Sequence, residues 1–197
     1  MDEATHHPDG REGGRTGSAV GTEIGQRRPF RSQAQEATIA LLRTASVVSR
    51  ALERVVEPYG LSLAQYNALR IIRGAGSAGI PTLAIRERMI EEGTTITRLL
   101  DKLEGAGLVR RERTLPDRRQ VICYVTAAGT RLLADLDSKV DASDEAVVAA
   151  LDRDELGPFI AMLDAIRKAN ANRGAPRTVA FRGPRASPPL SGSGQAP

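Results

Sequence analysis

From Gln33 onward the apolar residues fall at helical spacing, in several separate blocks. Leu41, Ala45, Val48, Leu52 and Val55 step by four and three, a heptad-like seam along one long helix that stops at Pro58-Tyr59-Gly60. Leu61-Ser-Leu-Ala-Gln65 opens a second helix with a capping box. The Ser62 hydroxyl is placed to accept from the Gln65 amide, and the Gln65 side chain returns to the Ser62 amide. Leu61 and Tyr66 are spaced as a hydrophobic staple, and Tyr66, Leu69 and Ile72 point inward until Gly74-Ala-Gly76 ends the helix. Ile80 to Arg88 reads as a short helix with Pro81 in its first turn and Ile85 and Met89 as its apolar positions. Glu91-Glu92-Gly93 then forms a turn, with Glu92 suited to the positive end of the next helix.

The most informative stretch follows. Ile96, Leu99, Leu100 and Leu103 recur at i, i+3, i+4, i+7, the apolar stripe of an amphipathic helix from about Gly93 to Glu104. The opposite face carries Thr94, Thr95, Thr97, Arg98 and Lys102. Short hydroxyls at a helix start can approach phosphates and base edges, and the two cations lie one turn apart. Gly107 is placed to end the helix as a C′ residue with positive φ, which lets Leu108 pack back on Leu103. Two β-like runs come next, Leu108 to Thr114 and Gln120 to Val125, joined by Leu115-Pro116-Asp117-Arg118-Arg119. In the second run Val121, Cys123 and Val125 share one face, with Ile122 and Tyr124 on the other. Helix, then hairpin with a basic tip, reads as a recognition helix and wing.

Thr126 caps another long helix, whose apolar face is Leu133, Leu136, Val140, Val147 and Leu151. Asp152-Arg-Asp-Glu155 offers a further cap, and Leu156, Phe159, Ile160, Leu163 and Ile166 continue the stripe. Pro158 in that stripe predicts a kink, or a helix start displaced to Gly157. Residues 1–32 are rich in Gly, Arg, Thr and Glu without periodicity, and 171–197 are a basic Pro/Gly/Ser-rich tail; both are expected to be disordered.

Composition adds limits. The chain has 197 residues, enough for one buried domain plus extras, with only 3% aromatics. Its net charge is +4, from 28 basic and 24 acidic residues. Arg173, Arg177, Arg182 and Arg185, with no acid after Asn172, account for all of it. A nucleic-acid surface must therefore be a local patch. Arg98, Lys102, Arg110, Arg111, Arg113, Arg118 and Arg119 make the densest basic stretch, set against Asp101, Glu104, Glu112 and Asp117. A lone Cys123, no apolar run of membrane-spanning length and no apolar leader at the N-terminus point to the cytoplasm.

Catalytic and metal chemistry find little support. His6 and His7 both lie in the N-terminal tail, with no further ligand nearby, so neither a metal pair nor a catalytic base is expected. There is no Cys-x-x-Cys, no phosphate loop and no His-Glu-x-x-His. No enzyme activity, cofactor or metal is expected. Cys123, inside a strand, reads as small core filler rather than a redox sensor.

Thr95-Ile-Thr-Arg-Leu-Leu-Asp-Lys-Leu-Glu, Gly107-Leu-Val-Arg-Arg, Asp117-Arg-Arg and Val125-Thr-Ala-Ala-Gly129, in this order and spacing, resemble the multiple-antibiotic-resistance-regulator (MarR) family over roughly residues 33–170. Arg86, where the family usually has a small residue, and Pro81, where it usually has a Ser or Thr cap, depart from the pattern. The resemblance implies a mainly α fold with a small β-hairpin wing: a winged helix-turn-helix lobe over about 61–126, with N- and C-terminal dimerisation helices. It implies a homodimeric repressor or activator of transcription, often responsive to a small-molecule effector. The DNA-contacting set expected here is Thr94, Thr95, Thr97, Arg98, Lys102, Arg113, Arg118 and Arg119, on a pseudo-palindromic duplex site. Tyr59, Tyr66 and Phe159 are candidates for an effector pocket, each also explained by core packing. Two alternatives remain open at this level: an architectural DNA binder without sequence preference, and a winged-helix protein–protein module.

Overall fold

The first long helix begins where Ser32, in extended backbone, accepts the Gln35 amide with its hydroxyl. The computed structural model describes residues 19–90, 95–113 and 120–171. A short helix α1 (Ala19–Glu23) precedes α2 (Gln33–Val56). The sequence reading expects an unstructured tail to about residue 32, but Val20 is buried and Glu23 pairs with Arg43 of α2 at 3.1 Å. Five residues lack the length for a periodic signal, and tertiary contact supplies what local propensity does not.

A 3-10 turn over Glu57–Tyr59 and Gly60, at φ 72°, carry the chain into α3 (Leu63–Gly74). The expected capping box is formed: the Gln65 amide donates to Ser62 Oγ at 3.2 Å, and the Ser62 amide donates to Gln65 Oε1 at 2.9 Å. Tyr66, Ala68, Leu69 and Ile72 of this helix are buried. Together with Val56, Leu61, Leu100, Leu103, Leu133 and Leu136 they belong to one continuous core. Each fully buried leucine contributes about 1.5–3 kcal/mol relative to exposure.

Ile80 and Pro81 are not the first turn of the next helix. They form a two-residue strand β1 (Ile80–Pro81), and α4 (Thr82–Arg88) starts after it with Pro81 as its N-cap. β1 lies at one edge of a three-stranded antiparallel sheet of order β1-β3-β2, built with β2 (Val109–Arg113) and β3 (Val121–Val125). An edge position tolerates Pro because the missing N–H removes no central ladder bond. Ile80 pairs with Cys123 and Pro81 with Ile122, a long-range match that periodicity cannot reveal. The hairpin pairs Val109 with Val125 and Arg113 with Val121. Both faces of β3 are covered, since Ile122 and Cys123 are each buried. On the Ile122 and Tyr124 side lies Gly79, at φ 67°, where a Cβ would stand 2.5 Å from the Tyr124 ring.

α5 (Ile96–Gly105) and α6 (Ala127–Val148) complete this unit. Thr126 caps α6 by accepting the Gly129 amide at 3.1 Å. Gly129, Leu133, Leu136 and Val140 are the buried positions of α6, and the helix packs against α2. A second unit begins at Leu151 and contains α7 (Arg153–Asn170). The Asp152 amide donates to Glu155 Oε2 at 2.8 Å, so the helix starts at the predicted cap and is not displaced to Gly157. Pro158 is the sixth residue of α7; it costs the helix the bond its amide would donate to the Asp154 carbonyl. No described helix is long and apolar enough to cross a membrane.

Candidate nucleic-acid interface

α5 separates its faces as its sequence requires. Leu99, Leu100 and Leu103 are buried, whereas Thr95, Thr97, Arg98 and Lys102 are exposed. Thr95 is the N-cap residue but makes no side-chain capping bond, so its hydroxyl is not committed to closing the helix. Thr94, with the Glu91-Glu92-Gly93 turn, lies outside the described residues, as do Arg118 and Arg119. Arg113 is exposed as the last residue of β2.

The C-terminus of α5 is closed by a Schellman motif. The Leu108 amide donates to the Leu103 carbonyl at 3.0 Å and the Gly107 amide to the Glu104 carbonyl at 2.8 Å, with Gly107 at φ 71°. Leu108 then packs on the core that holds Leu103. This corner is bonded to the start of α6. Thr126 Oγ1 donates to the Gly107 carbonyl at 2.7 Å, and the Thr126 amide donates to the Leu108 carbonyl at 3.0 Å. The candidate recognition helix is thereby held at its C-terminal end by its own cap and by the helix that follows the wing.

One group that shapes this surface was not singled out by sequence reasoning. Asn67, buried on α3, accepts the Ile90 amide on its Oδ1 at 3.1 Å and so fixes the chain just after α4. A buried Asn on an otherwise apolar helix face was the available signal, because such a group requires a partner. Arg86, noted in the sequence as a departure, is exposed on α4 and disturbs no core position. It borders a groove of about 720 Å³ whose other walls include Pro81, Ile96, Thr97, Leu100 and Val121.

Not every arginine of the basic stretch is available to a polyanion. The Arg110 guanidinium lies 4.0 Å from the Tyr124 ring centroid and pairs with Glu112. Arg111 is engaged by Asp101 and Glu104, which holds the Glu104 carboxyl below its ordinary range and pushes Arg111 up. On α4, α5 and β2 the exposed cations that no carboxylate of the described residues holds are Arg86, Arg88, Arg98, Lys102 and Arg113.

Cys123 is fully buried beside Thr82 Oγ1 at 3.8 Å, and burial pushes its thiol up. A buried, protonated thiol is a poor nucleophile, in keeping with core filling. Tyr66 is a core residue, and Tyr59 is half-buried beneath the Lys139 ammonium, 5.3 Å from its ring centroid. Phe159, on α7, is half-buried.

A family model, that of the MarR family, matches residues 61–121. Transcriptional regulator HosA of Escherichia coli is 31% identical over 103 residues, which are 52% of this chain and 75% of HosA. The chain belongs to the MarR family. Members of this family are transcriptional regulators. A MarR transcription factor from Planctomyces limnophilus, 37% identical, aligns over 69% of this chain and 98% of its own, with a TM-score of 0.55. The S. aureus MepR–DNA complex, at 21% identity, shares the fold with a TM-score of 0.61 over 66% of this chain and 96% of MepR.

Proposed function

We propose that this MarR-family chain is a homodimeric, sequence-specific DNA-binding transcriptional regulator, with α5 in the major groove and the wing tip, residues 114–119, in the adjacent minor groove. The observation that carries the reading is α5 itself: three buried leucines anchor the helix while Thr95, Thr97, Arg98 and Lys102 stay exposed on its other side. Thr94 continues that face in sequence. In this assignment Thr94, Thr95, Thr97 and Arg98 meet bases or phosphates, Lys102 and Arg113 meet backbone, and Arg118 and Arg119 enter the narrow minor groove. That MepR, a protein of this fold, is known in complex with DNA supports DNA as the partner of this surface.

Dimerisation is supported by what each helix leaves uncovered within one protomer. Leu41, Leu42 and Val47 are exposed on α2, and Ile160, Met162 and Ile166 on α7. A two-fold pair of recognition helices calls for a pseudo-palindromic site with half-sites about 10 bp apart. Repression released by a small-molecule effector completes the reading; such a ligand acts only by binding two spacings of the recognition helices with different affinity.

The test is selection of bound duplexes from a random pool at near-physiological salt. Enrichment of an inverted repeat with half-sites one turn apart is expected. Retention of mixed-sequence DNA with no enriched motif would replace this reading with an architectural binder. Absence of binding even at low salt would favour a protein–protein module.

A further inference from the structure

The exposed side of α5 does not carry cations alone. Asp101 stands between Arg98 and Lys102, and Glu104 lies on the following turn. A carboxylate left uncompensated within a Debye length of phosphate, about 8–10 Å, opposes the approach of DNA. Both of these carboxylates converge on one residue of the wing strand. Arg111 Nε donates to Glu104 Oε2 at 2.8 Å, and its Nη2 donates to the same oxygen and to Asp101 Oδ1 at 2.6 Å. The Arg111 amide, on the edge strand β2, donates to the other Glu104 oxygen at 3.1 Å.

Glu104 therefore holds the backbone and the side chain of the same strand residue with its two oxygens. We propose that Arg111 is a positioning residue for DNA recognition, locking the recognition helix to the wing strand and offsetting one of the two negative charges that the helix carries beside its cations. The proposal rests on the DNA-binding reading above. Arg111 is not itself a phosphate ligand here, since its side chain is only 24% exposed and its fork is occupied. β2 ends at the exposed Arg113, so a change of angle between α5 and β2 shifts Arg113 relative to Thr97 and Arg98. Two contact elements on one duplex reinforce each other only when their geometry permits both at once. A lysine cannot replace the clamp, because a single ammonium lacks the planar fork that spans two carboxylates.

The experiment measures binding of the full chain to the duplex selected above and to a mixed-sequence duplex, across a salt series, for the wild type, Glu104→Gln, Arg111→Lys and Asp101→Asn. Electrostatics alone predicts that removing the Glu104 charge tightens binding to every duplex. Positioning predicts the opposite for the selected duplex: Glu104→Gln and Arg111→Lys each lower the selected-over-mixed ratio by about five- to tenfold, the size of coupling seen within one ion-pair network. Affinity for mixed DNA is kept or raised by Glu104→Gln. Asp101→Asn, whose parent side chain is half-exposed and carries little of the fold, shifts the ratio in the same direction and holds the test if Glu104→Gln fails to fold. An unchanged ratio in these variants overturns the proposal. So does a salt slope reduced by about one in Arg111→Gln, which removes the charge and would make Arg111 a phosphate ligand. If the wild type binds no duplex at all, the DNA-binding reading itself fails, and this proposal with it.

Discussion

The Arg73 guanidinium of α3 grips the Asp137 carboxylate of α6 with two parallel hydrogen bonds, Nη1 to Oδ2 at 2.8 Å and Nη2 to Oδ1 at 2.9 Å. It is a fork-on-fork pair, the most directional form an ion pair takes. The two residues are 64 apart in sequence, and each sits next to buried positions of its own helix, Ile72 and Leu136. The pair ties a helix of the winged lobe to the helix that leaves it.

That tie makes stability depend on pH. Hydrogen bonding by Arg73 holds the Asp137 carboxyl below its ordinary value. The stabilisation is fully present above the unfolded carboxylate value of about 3.9 and is lost as pH falls through the lower folded value. Asp137 is nearly half exposed, so solvent screening limits the pair to about 0.5–1 kcal/mol. Asp137→Asn is expected to lower the urea midpoint at pH 7 and to match the wild type progressively as the pH drops below 4. A gap that persists unchanged at low pH would rule the ion pair out as its origin.

Gly129 is required by close approach, not by its dihedral angles. A Cβ there would stand 2.3 Å from the Leu108 carbonyl oxygen, in the corner where Thr126 bonds Gly107 and Leu108. Neither side of that contact is a flexible side chain, so the backbone must move. Gly129→Ala should cost about 2–3 kcal/mol, the upper range for overpacking, whereas Ala in a helix is ordinarily favoured over Gly. Chemical denaturation decides the sign: a stabilised variant would mean that the corner is looser than described.

The arginines and lysine assigned to DNA should separate by their salt dependence. Lys102→Ala is expected to weaken binding to all duplexes alike and to reduce the salt slope by about one, as a phosphate contact does. Arg98→Ala, if it reads a base, should also relax selection at one position of the site, at about 1–3 kcal/mol. Replacing Arg118 and Arg119 together with Ala should weaken binding and flatten its salt dependence. Competition binding across a salt series measures all three, and an unchanged slope in the double variant would remove the wing from the interface.

Leu42 is exposed on α2 although the helix is amphipathic and packs on α6. Leu42→Glu leaves the protomer core untouched, so the fold should persist. In a dimer that buries this face, the substitution places an unpaired carboxylate in an apolar contact. Sedimentation is expected to show a shift toward monomer, with DNA affinity falling alongside. An unaltered sedimentation profile would move the dimer contact elsewhere.

Much of this was legible in the chain because it is local. The Ser62–Gln65 capping box, the Gly107 Schellman turn and the leucine stripe of α5 each depend on residues within one or two turns, where spacing alone specifies the geometry. The β1–β3 pairing is different. Ile80 meets Cys123 across 43 residues, and a two-residue strand has no periodicity of its own. Arg110 and Arg111 are equivalent neighbours in the sequence, yet one stacks on Tyr124 and the other clamps Asp101 and Glu104.

The sequence by itself determined the order of the longer helices and of the β2–β3 hairpin, the buried faces of α3, α5 and the first half of α6, and which side of α5 carries its hydroxyls and cations. Those properties follow from short-range hydrogen bonding and from the removal of apolar side chains from water. Only the tertiary structure decided that Pro81 caps a helix from an edge strand, that Asn67 secures the chain after α4, and which arginines stay available. Each of those outcomes depends on which distant group lies across the contact, and a polar side chain takes its role from the partner that folding places within reach.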